Sequence, residues 1–214
     1  MYKKAMNSYQ MEQIHALEMI RRHSEKMKRP ETFREVKARG FDLESQLAGY
    51  LAFREEISRF FARWFEDICT ANCYTSGVSA CCSKDGIIVF WADMAINAFF
   101  SGPAEPEQLE RAIRSPASDA KCIYLIPGGC AWRIKPIVCE MFLCPDAENA
   151  VFAKHPEAES AWLDIKERKK VFTWPDRPVL FEMLESIFIE DGCDSSLMHV
   201  HKSPGLQRLI RNRA

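Results

Sequence analysis

Residues 42–69, DLESQLAGYLAFREEISRFFARWFEDIC, carry the longest helical pattern in the chain. Leu43, Leu47, Tyr50, Ile57, Phe61, Trp64 and Ile68 recur at helical spacing over about seven turns, so Asp42 to Ile68 reads as one long helix. Asp42 suits its N-cap, because a carboxylate there can accept from the first unsatisfied backbone N–H groups. Phe53, Phe60, Phe61, Trp64 and Phe65 spread rings around much of the helix, which predicts burial on several faces or a partner helix. The stretch ends on Cys69, where a cysteine-rich segment begins.

On the N-terminal side, Met11, Ile14, Leu17, Ile20, Ser24 and Met27 predict a helix over 8–27, capped by Ser8 and ended by Pro30. Residues 31–39 form a short helix that Gly40 stops at C′. Residues 1–40 hold ten Lys/Arg against five Asp/Glu, with most of the excess in Arg21–Arg29. That cluster fits a solvated helix end, and equally a contact for nucleic acid or an acidic partner.

On the C-terminal side, Ile87–Phe90 follows Asp85-Gly86 and reads as a strand, and Trp91–Phe100 reads as helix. Ser101–Ala120, with Pro103, Pro106 and Pro116, reads as an exposed insert containing one helical turn at 105–114. Residues 121–144 are loop and short strand, broken by Pro127, Gly128-Gly129 and Pro136. Glu157–Phe172 and Pro178–Glu190 predict helices, the second stopped by Gly192. Leu197–His201 reads as a strand and Pro204–Arg213 as a basic helix. The expected fold class is mainly α with a small irregular, short-strand, cysteine-rich metal-binding centre. A single domain, 1–214, combines a helical N-terminal part (1–68), an eight-cysteine core (69–144) and a helical C-terminal part (145–214).

The chain has 214 residues, 47% hydrophobic and 28% charged, which marks a folded domain and not a disordered one. A net charge of −1 argues against a protein built to grip phosphates, so nucleic acid is not the expected partner. Lys3 and Lys4 are followed by Asn7, Gln10, Glu12 and Gln13, with no apolar core of a secretory signal. The most apolar stretch, Ile87–Phe100, is interrupted by Asp93 and Asn97 and is too short to span a bilayer. The expectation is a cytoplasmic protein without a membrane partner, in a compartment that keeps thiols reduced. There a cysteine framework reads as metal binding before disulfides, and the odd count of nine fits poorly with complete pairing.

Eight cysteines fall into two groups of four, Cys69, Cys73, Cys81, Cys82 and Cys122, Cys130, Cys139, Cys144. Four thiolates are the usual complement of a tetrahedral zinc or of an iron–sulfur cluster. Thiolate is a soft ligand that suits both and suits calcium or magnesium poorly. Neither group contains the Cys-x2-Cys knuckle of most structural zinc modules, which tips the choice towards iron–sulfur. Gly77, Gly86 and Gly128-Gly129 allow backbone to fold closely around a centre. The adjacent sulfurs of Cys81 and Cys82 diverge, so the two serve different centres or only one is a ligand.

The segments CTANCYTSGVSACCSKDGIIVFWADMAINAF (69–99) and CIYLIPGGCAWRIKPIVCEMFLC (122–144) resemble the bacterial cysteine-cluster family of zinc- or iron-chelating proteins (YkgJ-type). Leu125, Gly129, Trp132, Lys135, Pro136 and Val138 stand at the matching places, over about a third of the chain. The resemblance implies that all eight cysteines are metal ligands. Two features depart from it: the spacing before Cys73 and Cys81 is wider, and Glu140 stands where arginine is common. Lys84, Lys121, Arg133 and Lys135 could offset the thiolate charge, or are ordinary surface charges. One branch of the family is similar to flagellin lysine-N-methylases. That likeness implies methyl transfer as an enzyme reading, beside a metal-binding module for electron transfer, metal handling or regulation, and beside a structural zinc protein with a protein partner. No dinucleotide or phosphate-loop motif accompanies it. His199 and His201 after Cys193 form either a third metal site or a surface pair with an odd thiol. Asp93, one turn before Asn97, reads as a helix cap.

Overall fold

Capping side chains set the helix boundaries in the computed structural model, which describes residues 6–38, 40–70, 89–102, 104–116, 122–127, 129–173 and 179–198. Helix α1 spans Ser8–Met27, as expected. Its cap, however, is Asn7 and not Ser8. The Asn7 Oδ1 accepts from the Gln10 N–H at 2.8 Å, and the Gln10 Oε1 accepts from the Asn7 N–H at 3.0 Å. This reciprocal pair is a capping box. It starts at Asn7 because the residue three positions on is Gln10, whereas three positions after Ser8 stands Met11, which has no acceptor.

Pro30 opens helix α2 (Pro30–Ala38), where a missing N–H leaves no bond unmade. Gly40, at φ 88°, stops α2: the Gly40 N–H donates to the Lys37 carbonyl and the Phe41 N–H to Val36. Only a residue without Cβ adopts that left-handed conformation cheaply. Helix α3 (Leu43–Cys69) follows, with the Asp42 carboxylate accepting from the Ser45 N–H at 3.2 Å.

Helix α4 (Trp91–Phe100) packs against α1, and every residue from Trp91 to Asn97 is buried. The expected strand before it is not found where it can be seen: Val89 and Phe90 belong to no sheet, Phe90 is the N-cap of α4, and Ile87 and Ile88 lie outside the described residues. The expected exposed insert is corrected more strongly. Residues 104–114 form helix α5 (Ala104–Arg114), which packs on α1 and buries Leu109, Ala112 and Ile113. Proline in a first helical turn removes no internal hydrogen bond, so Pro106 does not prevent it. Strands β1 (Leu125–Ile126) and β2 (Gly129–Cys130) pair antiparallel, with Leu125 opposite Cys130. Helices α6 (Ile137–Glu140), α7 (Pro145–Phe152), α8 (Pro156–Thr173) and α9 (Leu180–Glu190) complete the described part. Gly192, at φ 81°, ends α9 as expected, with its N–H on Ile189 and the Cys193 N–H on Phe188. Leu197 and Met198 form a turn, not the expected strand. Residues 199–214 lie outside the described residues.

The rings of α3 find several partners. Phe60 stacks on Trp162 of α8 at 5.3 Å, Phe65 meets Phe152 of α7 at 5.8 Å, and Tyr50 meets Phe181 of α9 at 5.7 Å. Burial on several faces is therefore real. On α1 the buried stripe is Gln10, Gln13, Leu17 and Ile20, flanked by Ile14 and Ala16. Met11, expected on that face, is 57% exposed. At 3.6 residues per turn it points roughly 160° away from Gln13. Among the described residues, no helix is long and apolar enough to cross a membrane.

One buried charge site sets a pH dependence. Glu185 on α9 is 6% exposed, and its Oε1 finds no hydrogen-bond partner among the described residues. Burial, with the nearby Glu182 carboxylate, pushes its carboxyl from 4.5 up to about 9. The folded chain keeps a proton there that the unfolded chain releases above pH 4.5, so this group's contribution falls as pH rises from 4.5 towards 9. Glu185→Gln should stabilise the fold by about 1–3 kcal/mol near neutral pH and flatten its pH profile. Urea denaturation at pH 5, 7 and 9 reads this directly, and parallel profiles for the variant and the native chain would contradict it.

Candidate functional site

The irregular segment 130–144 is held by side chains of α3 and α4. A loop pressed between helices must find partners for its backbone N–H and C=O groups. Here α4 supplies two acceptors one turn apart. The Asn97 Oδ1 accepts from the Ile134 N–H at 2.9 Å, and the Asp93 Oδ1 accepts from the Ile137 N–H at 3.0 Å. The other Asp93 oxygen accepts from the Phe90 N–H at 3.2 Å. Asp93 is thus the cap its position suggested and also a strut for the cysteine segment. Burial pushes its carboxyl up to about 6, against the two N–H donors and Arg54, which favour the anion.

From α3, Arg54 reaches the same segment. Its guanidinium donates to the Lys135 carbonyl at 2.6 Å and to the Tyr50 hydroxyl at 2.9 Å, and it lies 3.5 Å from the Glu140 carboxylate. Ser58 donates to the other Glu140 oxygen at 3.1 Å, and the Lys135 ammonium is 3.8 Å from Glu140. Glu140, the acid where the resembled family commonly has arginine, is therefore neutralised from within the fold. Arg133 pairs with Glu105 at 3.3 Å, so neither it nor Lys135 is an uncommitted charge. Lys84 and Lys121 lie outside the described residues.

The candidate ligands distribute as follows. Cys69 closes α3 and is half-buried. Cys122 is buried beside the hairpin, and its carbonyl accepts from the Leu125 N–H at 3.1 Å. Cys130 is exposed on β2, Cys139 is half-buried in α6, and Cys144 is the half-buried N-cap of α7. Cys73, Cys81 and Cys82 lie outside the described residues. No disulfide joins two described cysteines, and no three His, Cys, Asp or Glu side chains among the described residues gather as a metal-ligand set. Cys122 and Cys139 nevertheless share a neighbour: both thiols lie within electrostatic reach of the Tyr124 phenol.

Tyr124 is fully buried, and burial keeps it a neutral hydroxyl by pushing its ionisation well above the ordinary range. Its ring stands edge-on to Trp132 at 5.4 Å, and its carbonyl accepts from the Ala131 N–H at 2.9 Å. The Gln13 amide of α1 faces the hydroxyl without reaching hydrogen-bond geometry. Sequence reasoning missed both residues. The signal was present in α1, where the stripe Leu17, Ile20 continues towards the N-terminus onto Gln13 and Gln10.

Cys193 sits apart. It is buried, with its sulfur 3.5 Å from the His23 Nδ1 and 3.8 Å from Nε2. The His23 Nδ1 also lies 2.8 Å from the Met19 carbonyl, so that nitrogen carries the proton and donates to it. Burial and then the Asp191 carboxylate push the Cys193 thiol up, the opposite of an activated nucleophile. His199 and His201 lie outside the described residues. In the basic cluster, Arg21 pairs with Glu110 of α5 at 3.2 Å, as a helix-surface charge does.

No protein-family model, curated protein or solved structure matches this chain.

The Asp93 strut gives a graded test. Asp93→Ala orphans two buried N–H groups and should cost about 2–4 kcal/mol, while Asp93→Asn keeps the acceptor for Ile137 and should cost about 1 kcal/mol. Amide exchange at Ile137 should accelerate in the alanine variant. Unchanged protection there would show that the segment is held by something else.

Proposed function

We propose that this chain is a cytoplasmic metal-binding protein whose cysteine thiolates hold an iron–sulfur cluster in preference to zinc, for electron transfer, metal handling or regulation. The observation that supports this reading most directly is the common neighbourhood of Cys122 and Cys139, two thiols far apart in sequence that face one buried phenol on a segment pinned by Arg54, Asp93 and Asn97. The donor set is soft, and the rigid backbone around it is what a thiolate centre requires. No more than two of Cys69, Cys122, Cys130, Cys139 and Cys144 fall into one ligand group among the described residues. On this reading a four-thiolate centre therefore draws at least two ligands from Cys73, Cys81 and Cys82. The two groups of four would then share centres and not form one each. When bound, an iron–sulfur centre supplies one-electron chemistry, and zinc a structural tie.

Anaerobic purification with elemental and sulfide analysis tests this reading. The expected result is stoichiometric metal, brown with acid-labile sulfide for a cluster. Cys122→Ser and Cys139→Ser should each lose it and Cys193→Ser should retain it. A native chain carrying neither iron nor zinc would overturn the proposal.

A further inference from the structure

Three polar atoms without partners meet at one buried place beside Cys122 and Cys139. They are the Gln13 Nε2 and Oε1 and the Tyr124 hydroxyl, none of which finds a hydrogen bond. Both side chains are enclosed, Gln13 at 0% and Tyr124 at 1% exposure. Native interiors seldom leave buried polar atoms unmatched, and a cluster of them at one spot marks a group that the resting chain does not supply. Packing alone does not explain the pair. Gln13 occupies the apolar stripe of α1, where leucine or methionine would fill the space with no polar atom to satisfy. The Tyr124 ring is locked by Trp132 and by the Ala131 N–H on its carbonyl, so its hydroxyl cannot turn out to solvent. Tyr9, close by on α1, is already engaged, because its hydroxyl accepts from the Val89 N–H at 3.2 Å.

We infer that the Tyr124 hydroxyl is a built-in hydrogen-bond donor to the metal-bound thiolate sulfurs of Cys122 and Cys139, with the Gln13 amide as the positioning residue behind it. This rests on the metal reading above and assigns it a specific outer partner. A neutral thiol accepts hydrogen bonds weakly, whereas a thiolate accepts them well, so the donor is orphaned in the metal-free chain and satisfied in the loaded one. Hydrogen bonds of this kind orient ligands and tune the metal, including its reduction potential.

Tyr124→Phe removes only the oxygen and keeps the ring against Trp132. In the full chain, metal-free Tyr124→Phe should melt at the native temperature or above it, since a buried orphan is gone. Loaded with cobalt(II), or reconstituted with ferrous iron and sulfide, the variant should bind about 10–100-fold more weakly than the native chain and show a shifted thiolate-to-metal absorption band. Gln13→Met should move both readouts in the same direction by less. Equal affinity with an unmoved band would overturn the inference, as would an equal loss of melting temperature in both metal states, which marks a merely structural role. A native chain that takes up neither cobalt nor cluster fails the underlying metal reading instead, and that arm is read without any variant.

Discussion

The backbone of residues 134–137 is buried between helices without a regular ladder of its own, and its hydrogen bonds come from side chains. Asn97 and Asp93 take its N–H groups and Arg54 takes the Lys135 carbonyl. An unmatched buried N–H or C=O costs about 1–3 kcal/mol, so a segment of this kind cannot settle until those partners are in place. Everything carried by the segment depends on them: the position of Cys139, the neutralisation of Glu140, and the hairpin that turns Tyr124 inward. The α3 and α4 helices act as a clamp whose jaws are polar, set in faces that are otherwise apolar.

The charge balance of that clamp follows from burial. Arg54 is 7% exposed and would be costly there alone. It is matched by the Glu140 carboxylate, the Tyr50 hydroxyl and a backbone carbonyl, while Ser58 and Lys135 complete the shell of Glu140. An acid next to Cys139 looks adverse for a thiolate centre when read from sequence alone. In the fold its charge is spent on Arg54 and Lys135. Glu185 shows the opposite case, a buried carboxyl without a described hydrogen-bond partner for one of its oxygens, which stays protonated far above its ordinary range.

The helices were legible because their signals are local. Asp42, Gly40, Gly192 and the repeating apolar positions of 42–68 act within a turn or two of chain, and they place the ends of α2, α3 and α9 within a residue or two. Failures came where a local cue has two readings. Prolines at 103, 106 and 116 suggested an open excursion, yet Leu109, Ala112 and Ile113 make a buried face that outweighs them. Asp93 read as a cap and is one, but its second oxygen serves Ile137, a partner that spacing does not reveal. Gln13 and Tyr124 were invisible for the same reason, since their proximity depends on how α1 meets the hairpin. The cysteine spacing gave the ligand candidates, and half of the first group, Cys81 and Cys82, together with Cys73, falls outside the described residues.

The central claim is that thiolates from both cysteine groups converge on a metal. X-ray absorption at the metal edge of the anaerobically purified chain tests it most directly. The account predicts a first shell of sulfur, four per metal at about 2.3 Å. A shell of nitrogen and oxygen alone, or no bound metal at either the iron or the zinc edge, would contradict it.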